Sequence, residues 1–79
     1  MSRLHTIGSI IIRVNGLDHP PPHFHVHVGE DSAVVEIATF TVRESDLRPN
    51  DLRVAMDWVR ENIEIVRAEW NRLHPRIPC

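Results

Sequence analysis

Between Leu52 and Leu73 the apolar residues Leu52, Ala55, Met56, Val59, Ile63, Val66, Trp70 and Leu73 fall within one helical arc of about 100°. A stripe of that width must be covered, so the rest of the chain has to supply a second apolar surface. The spacing predicts a helix starting near Pro49 or Asn50. Pro49 suits a first helical turn, Asp51 suits the positive helix end, and Asn50 or Ser45 can serve as the N-cap. Pro75 stops the helix at about Leu73 or His74. Arg53/Asp57, Arg60/Glu64 and Glu64/Arg67 are spaced as ordinary solvated pairs on the opposite flank.

A second apolar set, Val54, Trp58 and Ile65, lies about 120 to 160° from the centre of the stripe. One straight helix cannot bury both sets against a single sheet. Either the helix breaks near Glu61-Asn62, with Asn62 capping a second segment, or Trp58, with Val54 and Ile65, marks a contact surface.

The first half of the chain reads as the matching sheet. Ile7 to Val14 put Ile10, Ile12 and Val14 on one face against Ile11 and Arg13, and Asn15-Gly16 follows as a turn. Leu17 to Pro22 form a loop whose three prolines favour polyproline II geometry. In the strand His23 to Val28, His23, His25 and His27 share one face while Phe24, Val26 and Val28 share the other. The apolar face must meet the core, so the imidazoles point away from it. Gly29 to Ser32 make a polar turn into Ala33 to Ile37, an antiparallel partner of the histidine strand. A further short strand, Phe40 to Val42, can pair back, although no glycine supplies positive φ in its turn; Glu44 to Pro49 are polar punctuation. The expectation is an α+β domain of order β-β-β-(β)-α, in which three or four antiparallel strands are covered on one face by a long or broken C-terminal helix.

Residues 1 to 79 make a single domain too small for a large core. With 42% hydrophobic and 25% charged residues it reads as a soluble globule, and no apolar run approaches a signal or membrane span, so the cytoplasm is the expected location. All nine cations are arginine and the formal charge is -2, which excludes a global basic field for non-specific nucleic-acid binding. The one cysteine, Cys79, permits no intrachain disulfide and reads as an unpaired thiol in a frayed tail, with Ile77 able to dock.

The stretch Asp18 to Val28 carries four of the six histidines and is the part of the chain with obvious chemical capacity. Two histidines alternate on a strand about 6.5 to 7 Å apart at Cα, close enough to share a zinc or nickel ion. His23 and His27 stand about 13 Å apart, too far for one ion. A metal site would therefore take Asp18, His19, His23 and His25, with His27 less suitably placed. It would be open rather than closed, and Asp18 could instead orient a histidine from outside. The plainer reading is a solvent-facing imidazole row, with Asp18 and His19 bonded to backbone. A third reading makes His23 or His25 a proton acceptor and Arg13 or Arg43 a phosphate holder, in a small nucleic-acid-acting enzyme. No nucleophile or carboxylate-pair motif accompanies it.

Asp18-His19-x-Pro21-Pro22-His23-Phe24-His25-Val26 resembles the signature of a widespread family of small bacterial proteins known as a domain of unknown function. The similarity extends to the Ile-rich strand before it, Gly29 with its acidic neighbour, the Val-rich strand, Asp46-Leu47 and the helical tryptophans. The resemblance implies no established activity. It does imply a genomic setting beside a second small protein, as in a toxin-antitoxin-like pair. His27 lies outside the motif. Two departures stand out: relatives place a glycine where this chain has Thr39-Phe40-Thr41, and their usual lysines are absent here.

Three function classes follow. The first is a protein-interaction component of a two-gene module, using Trp58 and the sheet edge to hold an adjacent gene's product or a second copy. The second is a zinc- or nickel-binding protein using His19, His23 and His25. The third is the small histidine-dependent enzyme.

Overall fold

A computed structural model describes residues 2–16 and 19–76, apart from the Ser2 side chain. The element order is β1 (Ser2–Ile7), β2 (Ile10–Val14), β3 (His23–Val28), β4 (Asp31–Glu36), β5 (Val42–Ser45), α1 (Pro49–Glu61) and α2 (Ile63–Leu73). The strands form one antiparallel meander in the order β1-β2-β3-β4-β5.

The sheet thus has five strands, where three or four were expected, and two helices complete the domain. The apolar run Ile7 to Val14 is two strands rather than one. Ile7 pairs with Ile10 across Gly8-Ser9, and Gly8 takes φ 59°, a conformation that costs glycine little. At the other edge the strand is Val42–Ser45 rather than Phe40 to Val42: Phe40 and Thr41 precede it, and Glu44 and Ser45, expected as polar punctuation, belong to it. All four of its residues are exposed, so no burial imposes an alternating pattern on the sequence.

The turn between β4 and β5 is closed without glycine. Phe40 adopts φ 58° and donates its N–H to Glu36, while Glu36 donates to the Thr41 carbonyl. The proline stem also departs from expectation, since the Pro20–Pro21 peptide bond is cis rather than part of an all-trans polyproline II run.

The core lies between the helices and one sheet face. Ile10, Ile12, Val14, Phe24, Val26, Ala33, Val35 and Ile37 meet Ala55, Val59, Val66 and Trp70, all fully or nearly fully buried. The remaining members of the predicted stripe, Leu52, Met56, Ile63 and Leu73, pack around them. At roughly 1.5 to 3 kcal/mol for each large apolar side chain buried, this two-layer contact is the main stabilising term.

Of the two alternatives that the apolar sets left open, the helix break stands: it falls at Asn62, which is both C-cap of α1 and N-cap of α2. Its backbone N–H reaches the Trp58 and Val59 carbonyls, and its Nδ2 donates to the Trp58 carbonyl at 2.9 Å. The first N-cap is Arg48, without a side-chain cap, rather than Asn50 or Ser45. Pro49 at the first helical position lacks one of the N–H groups a cap would satisfy, and Asn50 instead accepts a bond from Arg53. Glu64/Arg67 pair as expected, whereas Arg60 turns to Asp57 rather than Glu64. Among the described residues, no helix is long and apolar enough to cross a membrane.

Candidate functional site

β3 organises the site because its two faces are decided by its neighbours. Phe24 and Val26 are fully buried under the helices, so His25 and His27 lie on the sheet face that no helix covers. On that face His25 sits between Arg13 of β2 and Val34 of β4, and His27 between Ile11 and Ser32. His23 stands opposite Glu36. All three imidazoles are half-buried. Burial, the Arg13 charge and His25 hold the His27 imidazole below the usual histidine range, in that order of importance.

The row is not uniform. His23 packs 5.6 Å from the Trp70 ring and sits edge-on to His25, with ring centres 5.1 Å apart. Its Nδ1 lies 2.8 Å from the Pro21 carbonyl, which can only accept, so Nδ1 donates there. His25 and His27 instead lie parallel, 6.1 Å apart with 6° between their planes.

His74 also packs on Trp70, stacked at 3.6 Å, and is only 6% exposed. Its Nδ1 donates to the Trp70 carbonyl at 3.0 Å, and its Nε2 is buried without a partner among the described residues. Successive ring contacts thus link His74, Trp70, His23, His25 and His27, from the end of α2 to the open sheet face. Sequence reasoning used His74 only to end the helix. Its i,i+4 spacing from Trp70, which puts both on one helix face, was the signal available.

His5 was also missed. It stacks on Trp58 at 4.2 Å, with 9° between the rings, from the unforeseen strand β1.

Of the other predicted site residues, His19 is exposed in the loop, and Asp18 lies outside the described residues, as do Leu17, Ile77 and Cys79. Among the described residues, no three histidine, cysteine or carboxylate side chains gather as a metal-holding group. Val54 and Trp58 are half-buried and packed against the core, while Ile65 is 51% exposed. Arg13 and Arg43 are three strands apart, about 14 Å across the sheet, and do not converge on one phosphate position. At the β5 edge a shallow depression of about 260 Å³ is lined by Ser32, Glu44, Ser45 and Asp46. There Asp46 receives the Ser32 N–H on its carboxylate and returns its own N–H to the Ser32 carbonyl.

Residues 9–71 match the model of a family described as a domain of unknown function (DUF4160). No curated protein and no solved structure matches the chain.

Proposed function

The chain belongs to this family of unknown function, and on that premise we propose that it is the protein-interaction component of a small toxin-antitoxin-like two-gene module acting in the cytoplasm. The observation that carries the reading is β5. It is the last strand of the sheet, all four of its residues are exposed, and Val42 is 39% exposed. An edge strand presents unpaired backbone N–H and C=O groups, and a partner strand that adds to it gains main-chain bonds along its length. Val34 pairs with Glu44 and Val35 with Val42, so Arg43 is an extra residue on β5 itself, and a bulge on an open edge limits indiscriminate pairing. Val54 and Trp58 pack into the domain, so the contact is assigned to the β5 edge, with Ile65 as a separate exposed apolar position.

The test is co-expression with the product of the adjacent gene, followed by affinity capture on a tag carried by this chain. Val42→Asp with Arg43→Glu should reduce recovery of the partner at least tenfold, and Ile65→Asp should leave it unchanged. Recovery that ignores the β5 changes refutes the edge. A chain that captures nothing yet cleaves RNA, with cleavage lost in His23→Ala, would replace this reading with the enzyme.

A further inference from the structure

The sheet register lines up one row of side chains across all five strands. Arg3 of β1 stands opposite Arg13 of β2, Arg13 opposite His25 of β3, His25 opposite Val34 of β4, and Val34 opposite Glu44 of β5. Directly paired residues share a face, so the row lies where His25 lies, on the side that no helix covers. Its charge is distributed unevenly. Arginines occupy one end, a glutamate occupies the other, and the histidine stands midway between them. Arg3 and Glu44, the two outermost members, are both exposed.

Like charges directly opposite one another are destabilising, so Arg3 beside Arg13 favours a negative group above them. A ligand of one sign would suit only half of the row. The surface that matches both halves is the same row turned end for end, and a two-fold axis running along β3 between two facing sheets produces it. In that arrangement His25 meets its own copy on the axis, Arg13 lies over the second copy's Val34, and Arg3 faces the second copy's Glu44 at both ends. The dimensions fit as well. Packed sheets lie about 10 Å apart, a gap that an arginine and a glutamate side chain bridge together. Aligned sheets cross at about 30°, which moves the outer ends of the row about 5 Å along the strands, within an arginine's reach. The centre of the face carries the half-buried Ile11 and Val34, and His27, opposite Ile11, is held below the usual histidine range by burial and by the Arg13 charge.

We infer that the uncovered sheet face is a contact between two copies of this chain, set in register by Arg3 and Glu44 around a two-fold axis. Five strands about 4.8 Å apart and about five residues long give roughly 400 Å² of flat face on each copy, at the small end of specific interfaces. The dimer is therefore weak. It uses the face of the sheet and leaves the outer edge of β5 open to a partner strand.

Sedimentation equilibrium of the whole chain up to about 500 µM, at pH 7.5 in low salt with a reductant that keeps Cys79 from cross-linking, should show monomer and dimer with Kd of about 10 to 300 µM. Arg3→Glu and Glu44→Arg should each weaken association at least fivefold. An equimolar mixture of these two variants should associate within threefold of the parent, because each supplies the charge that the other lacks. That recovery also shows that both variants are folded. Arg76→Glu, the same change of charge away from this face, should stay within twofold, and raising NaCl from about 50 to 500 mM should weaken the parent dimer at least threefold. A parent that stays monomeric throughout, a dimer that both face variants leave within twofold, or a mixture that associates no better than either variant alone each overturns the assignment. Arg3 lies four strands from β5, so Arg3→Glu leaves capture of the adjacent gene's product unaltered, and failure of this contact is read apart from failure of the β5 edge.

Discussion

Replacing Phe40 separates two effects that oppose each other in one residue. At φ 58° a residue bearing Cβ is strained by roughly 1 to 2 kcal/mol. The ring repays this locally: it sits edge to face with Phe24 at 6.3 Å and lies under the Arg60 guanidinium at 5.2 Å. The aromatic pair contributes about 0.5 to 1.5 kcal/mol and a surface cation–π contact about 0.5 to 1. Burial of half a phenyl ring adds about 1 kcal/mol.

Phe40→Ala removes these contacts and keeps the strain, a loss of about 2 to 3.5 kcal/mol. Phe40→Gly removes the same contacts but relieves the strain, against roughly 0.4 to 1 kcal/mol of added unfolded-state entropy. The glycine variant should therefore be the more stable of the two by about 0.8 kcal/mol at the middle of these ranges, the reverse of the usual order. For a domain of this size that is about 3 to 6 °C in Tm, with both variants below the parent. Thermal unfolding followed by circular dichroism reads it directly. An alanine variant that melts at or above the glycine variant would show that the backbone at this turn is not left-handed.

Further outcomes follow from the same geometry. With His27 held below the usual histidine range, the unfolded chain takes up its proton first. The stability carried by neutral His27 is thus complete above the unfolded pKa of about 6.5 and is lost as pH falls through the lower folded value. Proton NMR in EDTA should show that lowered midpoint rising in Arg13→Gln, and a His27 midpoint at or above that of a model peptide refutes the environment described for the open face. Ile12→Val should cost about 0.5 to 1.5 kcal/mol and Ile11→Val under about 0.5, because the first is fully buried and the second lies on the uncovered face. Equal costs in denaturant unfolding would mean that something covers both faces.

What was legible in the sequence was periodic. The 3.6-residue stripe from Leu52 to Leu73 named its own buried face, and the two-residue alternation of Ile10 to Val14 and of His23 to Val28 named which side of the sheet would meet it. The collision of Val54, Trp58 and Ile65 with that stripe required a break or a contact surface, and the break stands at Asn62. What carried no period was hidden. The split of Ile7 to Val14 into two strands rests on Gly8, and β5 is exposed along its whole length, so burial left no pattern to fix its bounds and the strand expected at Phe40 to Val42 stands at Val42–Ser45.

The differentiation of the histidine row was not legible in the sequence and rests chiefly on the tertiary structure. Sequence made His23, His25 and His27 equivalent positions on one face. The packing of α2 against the end of the sheet brought Trp70 beside His23, while the path of the proline loop set the Pro21 carbonyl against Nδ1. Local propensity fixes which way a side chain leaves the backbone. That Trp70 lies beside His23 depends on a contact between segments more than forty residues apart, and no local pattern encodes it.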